Sequence, residues 1–275
     1  MGQQVISGGL RDWIEQLQSN GKIAFTLSQA HEAFPDLSEN AVKLSLKRLS
    51  KKERIVSIYK GYYLIVDLKY ASKGILPPAL YIDGFMQFLK RPYYVGLLSA
   101  AAYHGAAHQQ PQEFFIITSL PALRATQRKG IKVNYISKKA INENLIEIRK
   151  TESGYLKISS PALTAIDLVQ YEKRIGGMNR AATVINELAE VLKPEMFTPS
   201  LFNEASTHSI QRLGYLLEYK LGQQNLADAL LMKVREANLS FFRVPLKADL
   251  PVKGFFSEEK WKVIANTEIE IEIDE

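Results

Sequence analysis

The sequence contains no cysteine in its 275 residues. That excludes a disulfide framework, a thiolate metal site and a cysteine nucleophile, and it fits a reducing compartment. A membrane-spanning run of about 20 apolar residues is missing too. The longest stretch without formal charge, Pro92 to Gln112, holds His104, His108, three glutamines and Pro111. The start, Met1-Gly2-Gln3-Gln4-Val5, has neither the basic opening nor the apolar centre of a signal peptide. These absences predict a cytoplasmic chain that engages no membrane.

Motifs that carry chemistry are also scarce. His104 and His108 are four apart, but Gly105 lies between them and no glutamate follows His104 as in His-Glu-x-x-His. Ser99 lacks the Gly-x-Ser-x-Gly elbow that exposes a nucleophile. Gly176-Gly177 fits neither a phosphate loop nor a dinucleotide loop, and Asp83, Asp167 and Glu172 are scattered. The expectation is no catalytic residue, no cofactor, no metal and no enzymatic activity.

What is present is an ordinary globular composition, 46% hydrophobic and 23% charged, on a chain long enough for one large domain or two smaller ones. The net charge of +6 is too small to name a partner, so its placement must decide.

The first 66 residues read as three helices and a hairpin. Leu10, Trp13, Ile14 and Leu17 have the spacing of one apolar helix face, closed by Asn20-Gly21. Thr26-x-x-Gln29 is a capping box that opens a second helix, which Pro35 halts. Asp36-Leu37-Ser38-Glu39 starts a third, running to about Leu49 or Lys51. Arg54–Tyr59 and Tyr62–Val66 then flank Lys60-Gly61 as a β-hairpin. This is the order of a winged helix-turn-helix, predicted over 1–68. A linker follows, and a larger mixed α/β domain occupies 75–275, giving an α+β fold class overall. In that domain the patterns predict helices at Leu80–Leu89, Val95–Ala107, Ser160–Tyr171, Arg180–Leu192 and Ile210–Leu221. They predict strands at Phe114–Thr118, Ile131–Ile136, Leu145–Ile148 and Tyr155–Ile158. The alternation of Ile269, Ile271 and Ile273 with acids predicts a C-terminal edge strand.

The third helix has the make-up of a reading head. At about 100° per residue, Val42, Ser45, Leu46 and Leu49 form a core face. Asn40, Lys43, Lys47 and Lys51 share the opposite side, with Arg48 at the flank. Leu44 falls awkwardly among them. A helix in a major groove must offer donors to base edges and cations to phosphates; asparagine suits adenine, and lysine suits guanine or phosphate. Residues 41–60 carry seven cations (Lys43, Lys47, Arg48, Lys51, Lys52, Arg54, Lys60) against Glu53 alone. That concentration is the footprint of DNA binding. The other reading is a solvated lysine-rich face. Tyr59, Tyr62 and Tyr63 are expected to pack the hairpin.

A second basic stretch, Phe114 to Asn142, has no acid and six cations: Arg124, Arg128, Lys129, Lys132, Lys138 and Lys139. A solvated surface is the default. A C-terminal basic surface for an RNA or an acidic protein is the alternative.

After the winged helix comes Tyr93-Tyr94-Val95-Gly96-Leu97-Leu98-Ser99-Ala-Ala-Ala-Tyr103-His104-Gly105, then Gln110-Pro111 and the strand Phe114–Thr118. This combination resembles the AbiEi family, the antitoxins of abortive-infection type IV toxin–antitoxin pairs, which act in phage defence. The resemblance implies an N-terminal domain that represses its own operon; since a single wing and helix covers few base pairs, the double-stranded DNA at that promoter is expected to carry an inverted repeat occupied by two copies. It implies a C-terminal domain that counteracts a nucleotidyltransferase-like toxin without a need for direct contact. It carries over no catalytic residue. The chain is expected to be a monomer or weak dimer off DNA. The runner-up function is a ligand-sensing winged-helix transcriptional regulator, and a third is a nucleic-acid enzyme tethered by the winged helix.

Overall fold

The computed structural model describes residues 8–106 and 113–271. Packing divides the chain into two compact units. One holds residues 1–92, 124–134 and 149–156; the other holds 93–123, 135–148 and 157–275.

The first unit begins with α1 (Leu10–Ser19), β1 (Ala24–Thr26), α2 (Leu27–Ala33), α3 (Glu39–Lys51), β2 (Ile55–Tyr59) and β3 (Tyr62–Ile65). The capping box read from the sequence is made: Thr26 Oγ1 accepts from the Gln29 amide at 3.2 Å, and Gln29 Oε1 accepts from the Thr26 amide at 2.8 Å. Ser38 Oγ accepts from the Ala41 amide at 3.2 Å and starts α3. Leu10, Trp13 and Ile14 pack with Phe25, Ala30, Val42, Leu46, Leu49, Ile55 and Ile65 as one core. Trp13 meets Phe25 edge-on at 5.2 Å. The hairpin gains a third, antiparallel strand, with Ala24 opposite Leu64 in the order β1-β3-β2. The unit then runs on into α4 (Pro78–Phe88), where Phe85 and Phe88 pack against Tyr62 at 5.3 and 5.1 Å.

Further along the chain lie β4 (Tyr93–Val95), α5 (Leu97–Tyr103), β5 (Glu113–Ser119), β6 (Thr126–Arg128), β7 (Ile131–Lys138), β8 (Ile146–Thr151) and β9 (Gly154–Ser159). The six strands form one sheet in the order β6-β7-β5-β4-β9-β8. β4 runs antiparallel to β5, with Tyr94 opposite Ile117, and parallel to β9, with Val95 opposite Ile158. The helices of the second unit continue with α6 (Pro161–Gln170), α7 (Met178–Leu188), α8 (Pro199–Glu204), α9 (Thr207–Tyr215) and α10 (Gln224–Glu236); a π-helical turn, Leu216–Lys220, extends α9. Two short parallel strands, β10 (Val244–Pro245) and β11 (Val263–Ile264), complete it.

The C-terminal segment is fastened to α9. Gln211 Nε2 donates to the carbonyls of Phe242 and Trp261 at 2.6 and 2.7 Å, and Arg212 Nε donates to that of Pro245 at 2.9 Å. Trp261 is fully buried against Gly214, where a Cβ would fall 2.1 Å from the indole ring.

Two expectations are corrected. Val95 does not open the expected helix to Ala107; it ends the buried central strand Tyr93–Val95, and the break at Gly96, whose backbone is extended, delays the helix to Leu97, while Ala107 lies outside the described residues. The C-terminal alternation makes no strand within the described residues, because Ile269 and Ile271 pack against the core of the second unit instead. Ile273 lies outside the described residues. α8 and α10 were not anticipated.

Candidate nucleic-acid interface

The sequence rotation of α3 matches its burial. Val42, Leu46 and Leu49 are buried, while Asn40, Lys43, Lys47, Arg48 and Lys51 are exposed. Leu44 stands among them, 50% exposed. The helix carries Glu39 in its first turn and Arg48 and Lys51 in its last, the arrangement its dipole favours.

The cations are not equivalent. Lys43 pairs with Glu39 one turn back, which holds that carboxyl below its usual range. Arg54 Nη2 reaches Glu15 Oε1 of α1 at 3.4 Å and is 38% exposed. Its position fastens the hairpin to α1 and sets it apart from the α3 face. Lys47, Arg48, Lys51, Lys52 and Lys60 are exposed and have no ion-pair partner among the described residues. Lys60 sits at the hairpin turn. Tyr59, Tyr62 and Tyr63 are packing residues: the first two meet Phe85 at 5.6 and 5.3 Å, and Tyr63 stacks on Phe25 at 5.3 Å. Burial raises the Tyr62 hydroxyl to about 12.

The second basic stretch is divided between the two compact units. Arg124, Arg128, Lys129 and Lys132 fall in the first compact unit; Lys138 and Lys139 fall in the second. Arg124 and Arg128 are exposed, and Lys129 Nζ pairs with Glu53 Oε1 at 2.5 Å. Lys139 is exposed, but Lys138 is only 10% so. Lys138 is therefore not a surface cation, because it is drawn inward by buried acids.

Those acids build a polar cluster inside the second unit. Lys138 Nζ lies 2.8 Å from Glu204 Oε2 and 4.0 Å from Asp167 Oδ1. The Tyr94 hydroxyl donates to Asp167 Oδ2 at 2.8 Å. Asp167 is fully buried, and its Oδ1 has no hydrogen-bond partner among the described residues. Burial raises its carboxyl to about 6, against the opposing pull of Lys138 and Tyr94. Burial and the adjacent Asp167 carboxylate push the Tyr94 hydroxyl well above its ordinary value. The sequence signal for this cluster was a lone acid inside the apolar α6 run, Pro-Ala-Leu-Thr-Ala-Ile-Asp-Leu-Val.

The remaining candidates have structural roles. His104 Nε2 is 2.7 Å from the Ser159 carbonyl, and Ser99 Oγ accepts from the Phe115 amide at 3.0 Å. Among the described residues no three His, Cys, Asp or Glu side chains gather as a metal site. His108 and Gln110-Pro111 lie outside the described residues. No described helix is long and apolar enough to cross a membrane.

Charge separates along the division into units. The first holds nineteen Lys and Arg against nine Asp and Glu, a net +10; the second holds sixteen against twenty, a net −4.

The chain is thus an α+β protein with a strongly cationic unit and an acidic one. Residues 94–219 match the AbiEi antitoxin C-terminal domain, and this part of the chain belongs to that family, as the sequence resemblance implied. The AbiEi antitoxin family is not an enzyme family, and its members act against a toxin partner. No curated protein matches the chain. A solved structure, the RV2827C protein from Mycobacterium tuberculosis, shares the fold with a TM-score of 0.65. The match is at 14% identity over 92% of this chain and 89% of that one.

Proposed function

We propose that this antitoxin binds DNA and represses its own operon through a winged helix-turn-helix at residues 1–68. In this reading α2 and α3 are the helix-turn-helix, β2–β3 is the wing, and two copies occupy an inverted repeat. Residues 75–275 counteract a nucleotidyltransferase-like toxin in the type IV manner. The observation that carries the DNA reading is the exposed outer face of α3, where Lys47, Arg48 and Lys51 stand beside Asn40 without ion-pair partners among the described residues. The +10 of the compact unit around it supports the same reading, since each phosphate neutralised releases counterions.

The experiment pairs a reporter under the chain's own promoter with a growth-rescue assay against the neighbouring toxin frame. Lys47→Ala with Lys51→Ala is expected to relieve repression while rescue persists. Full repression by the double variant would overturn the DNA reading. Failure of the wild type to rescue would overturn the toxin reading.

A further inference from the structure

The β2–β3 hairpin closes in a two-residue turn, Lys60-Gly61, with Tyr59 paired to Tyr62. The turn is held on three sides. Within β2 the register shifts between Ser57 and Tyr59, and Ser57 Oγ donates to the Tyr59 carbonyl at 3.1 Å. A bulge of this kind bends the strand and re-aims the residues beyond it. On the second side the Gly61 carbonyl accepts from the Leu27 amide, at the start of α2, at 2.9 Å. Gly61 itself has φ +80°, in the left-handed region that favours glycine.

The third side is α4, which lies beyond residue 68. The Tyr59 ring meets Phe85 at 5.6 Å and Phe88 at 6.5 Å, and the Tyr62 ring meets the same two at 5.3 and 5.1 Å. Phe88 also reaches the turn: a Cβ on Gly61 would lie 4.0 Å from its Cζ, an ordinary van der Waals contact. α4 comes this close because Gly84 has no side chain; a Cβ there would fall 3.1 Å from the Tyr62 hydroxyl oxygen. Tyr62 and Phe85 are buried and Phe88 is half-buried, while Tyr59 stays 43% exposed at the rim.

What these rings hold in place is a cation. Lys60 is exposed and has no ion-pair partner among the described residues, so the bracing around it completes no salt bridge of its own. A lysine on a loose hairpin must be ordered together with its backbone when it binds, and that ordering weakens affinity. On a braced turn the backbone is already ordered, and only the side chain remains to be fixed.

We infer that α4 is part of the DNA-binding apparatus, and that Phe88 is a positioning residue that aims Lys60, at the tip of the wing, toward a backbone phosphate. The inference rests on the DNA reading above and extends it past residue 68. Phe88 touches no nucleic acid in this account; it acts through the turn.

The test measures the full-length chain's affinity for its own promoter across a salt series. Wild type is compared with Lys60→Ala, Phe88→Ala and their double variant, and with Lys47→Ala alone and combined with Phe88→Ala. Lys60→Ala is expected to make the fall of log affinity with log salt shallower by about one unit. Phe88→Ala changes no charge, yet it is expected to move the slope toward the same value, because a lysine on a loosened turn keeps its phosphate contact only part of the time. The Lys60/Phe88 double variant should match Lys60→Ala, whereas the Lys47 and Phe88 effects should add. A merely structural role for Phe88 would lower the melting temperature and leave the slope at its wild-type value. Phe88→Leu keeps an apolar side chain on α4 but withdraws it from Gly61, and it should shift the slope in the same direction even where the alanine variant does not fold. A wild-type slope in the folded Phe88 variants overturns the inference, and so does a Lys60/Phe88 double variant whose losses add. A wild type that binds its promoter without salt dependence overturns the DNA reading itself, and this inference with it.

Discussion

Asp167 and Lys138 show how one residue's surroundings decide its role. Asp167 is fully buried with one oxygen unpartnered among the described residues, and its carboxyl titrates near 6 instead of 3.8. Between those values the folded chain holds a proton that the unfolded chain has released. Stability from this group is therefore full below about pH 4 and is lost as pH rises through 6. Asp167→Asn removes the titration. Denaturant midpoints from pH 4 to 7 should show the variant gaining on the wild type across that window; a difference independent of pH would contradict the account. Lys138 and Lys139 are neighbours in sequence and opposites in effect. Lys138→Met leaves Glu204 and Asp167 buried without their cation and should cost about 3–5 kcal/mol. Lys139→Met, at an exposed site, should stay within about 0.5 kcal/mol. Equal melting of the two variants would refute the burial of Lys138.

Elements with a complete local signal were legible in the sequence. α1, α2 and α3 each carry an apolar stripe and a start or stop residue, and the strands Phe114–Thr118 and Ile131–Ile136 carry β-branched runs bounded by breaks. β1 was not legible, because three residues hold no period and the strand exists only by pairing with β3. α10 had a readable stripe in Leu226, Ala227, Leu230, Leu231 and Val234, but no side-chain cap marks its start. Val95 misled because a small-residue helix follows at once. The C-terminal alternation misled because its isoleucines have a core to enter, and packing overrides period. Element packing also explains Gly214. With the Trp261 ring 2.1 Å from any Cβ, Gly214→Ala must push the indole out of its slot, at about 1–3 kcal/mol. A melting temperature unchanged by Gly214→Ala would contradict the packing of the C-terminal segment on α9.

At the scale of the whole molecule, the charge pattern was visible in the sequence but its grouping was not. Composition shows +6, and only the fold sorts it into +10 and −4. The face of α3 came through intact because it depends on one helix's rotation. The grouping of the stretch from Arg124 to Lys139 was not legible, because β7 runs from Lys132 in one compact unit to Lys138 in the other. Reversing Arg124, Arg128, Lys129 and Lys132 to Glu is accordingly expected to weaken DNA binding, since it removes the cations that the fold groups with α3.

The most direct test of the central claim is the salt dependence of the full-length chain's affinity for its own promoter. Wild type is compared with Lys47→Ala, Lys51→Ala and the double variant. The account predicts a steep linear fall of log affinity with log salt, shallower by about one unit for each phosphate-contacting lysine removed. It also predicts tighter binding to the promoter than to unrelated DNA of equal length. Binding without salt dependence, or equal affinities and slopes for all four proteins, would contradict it.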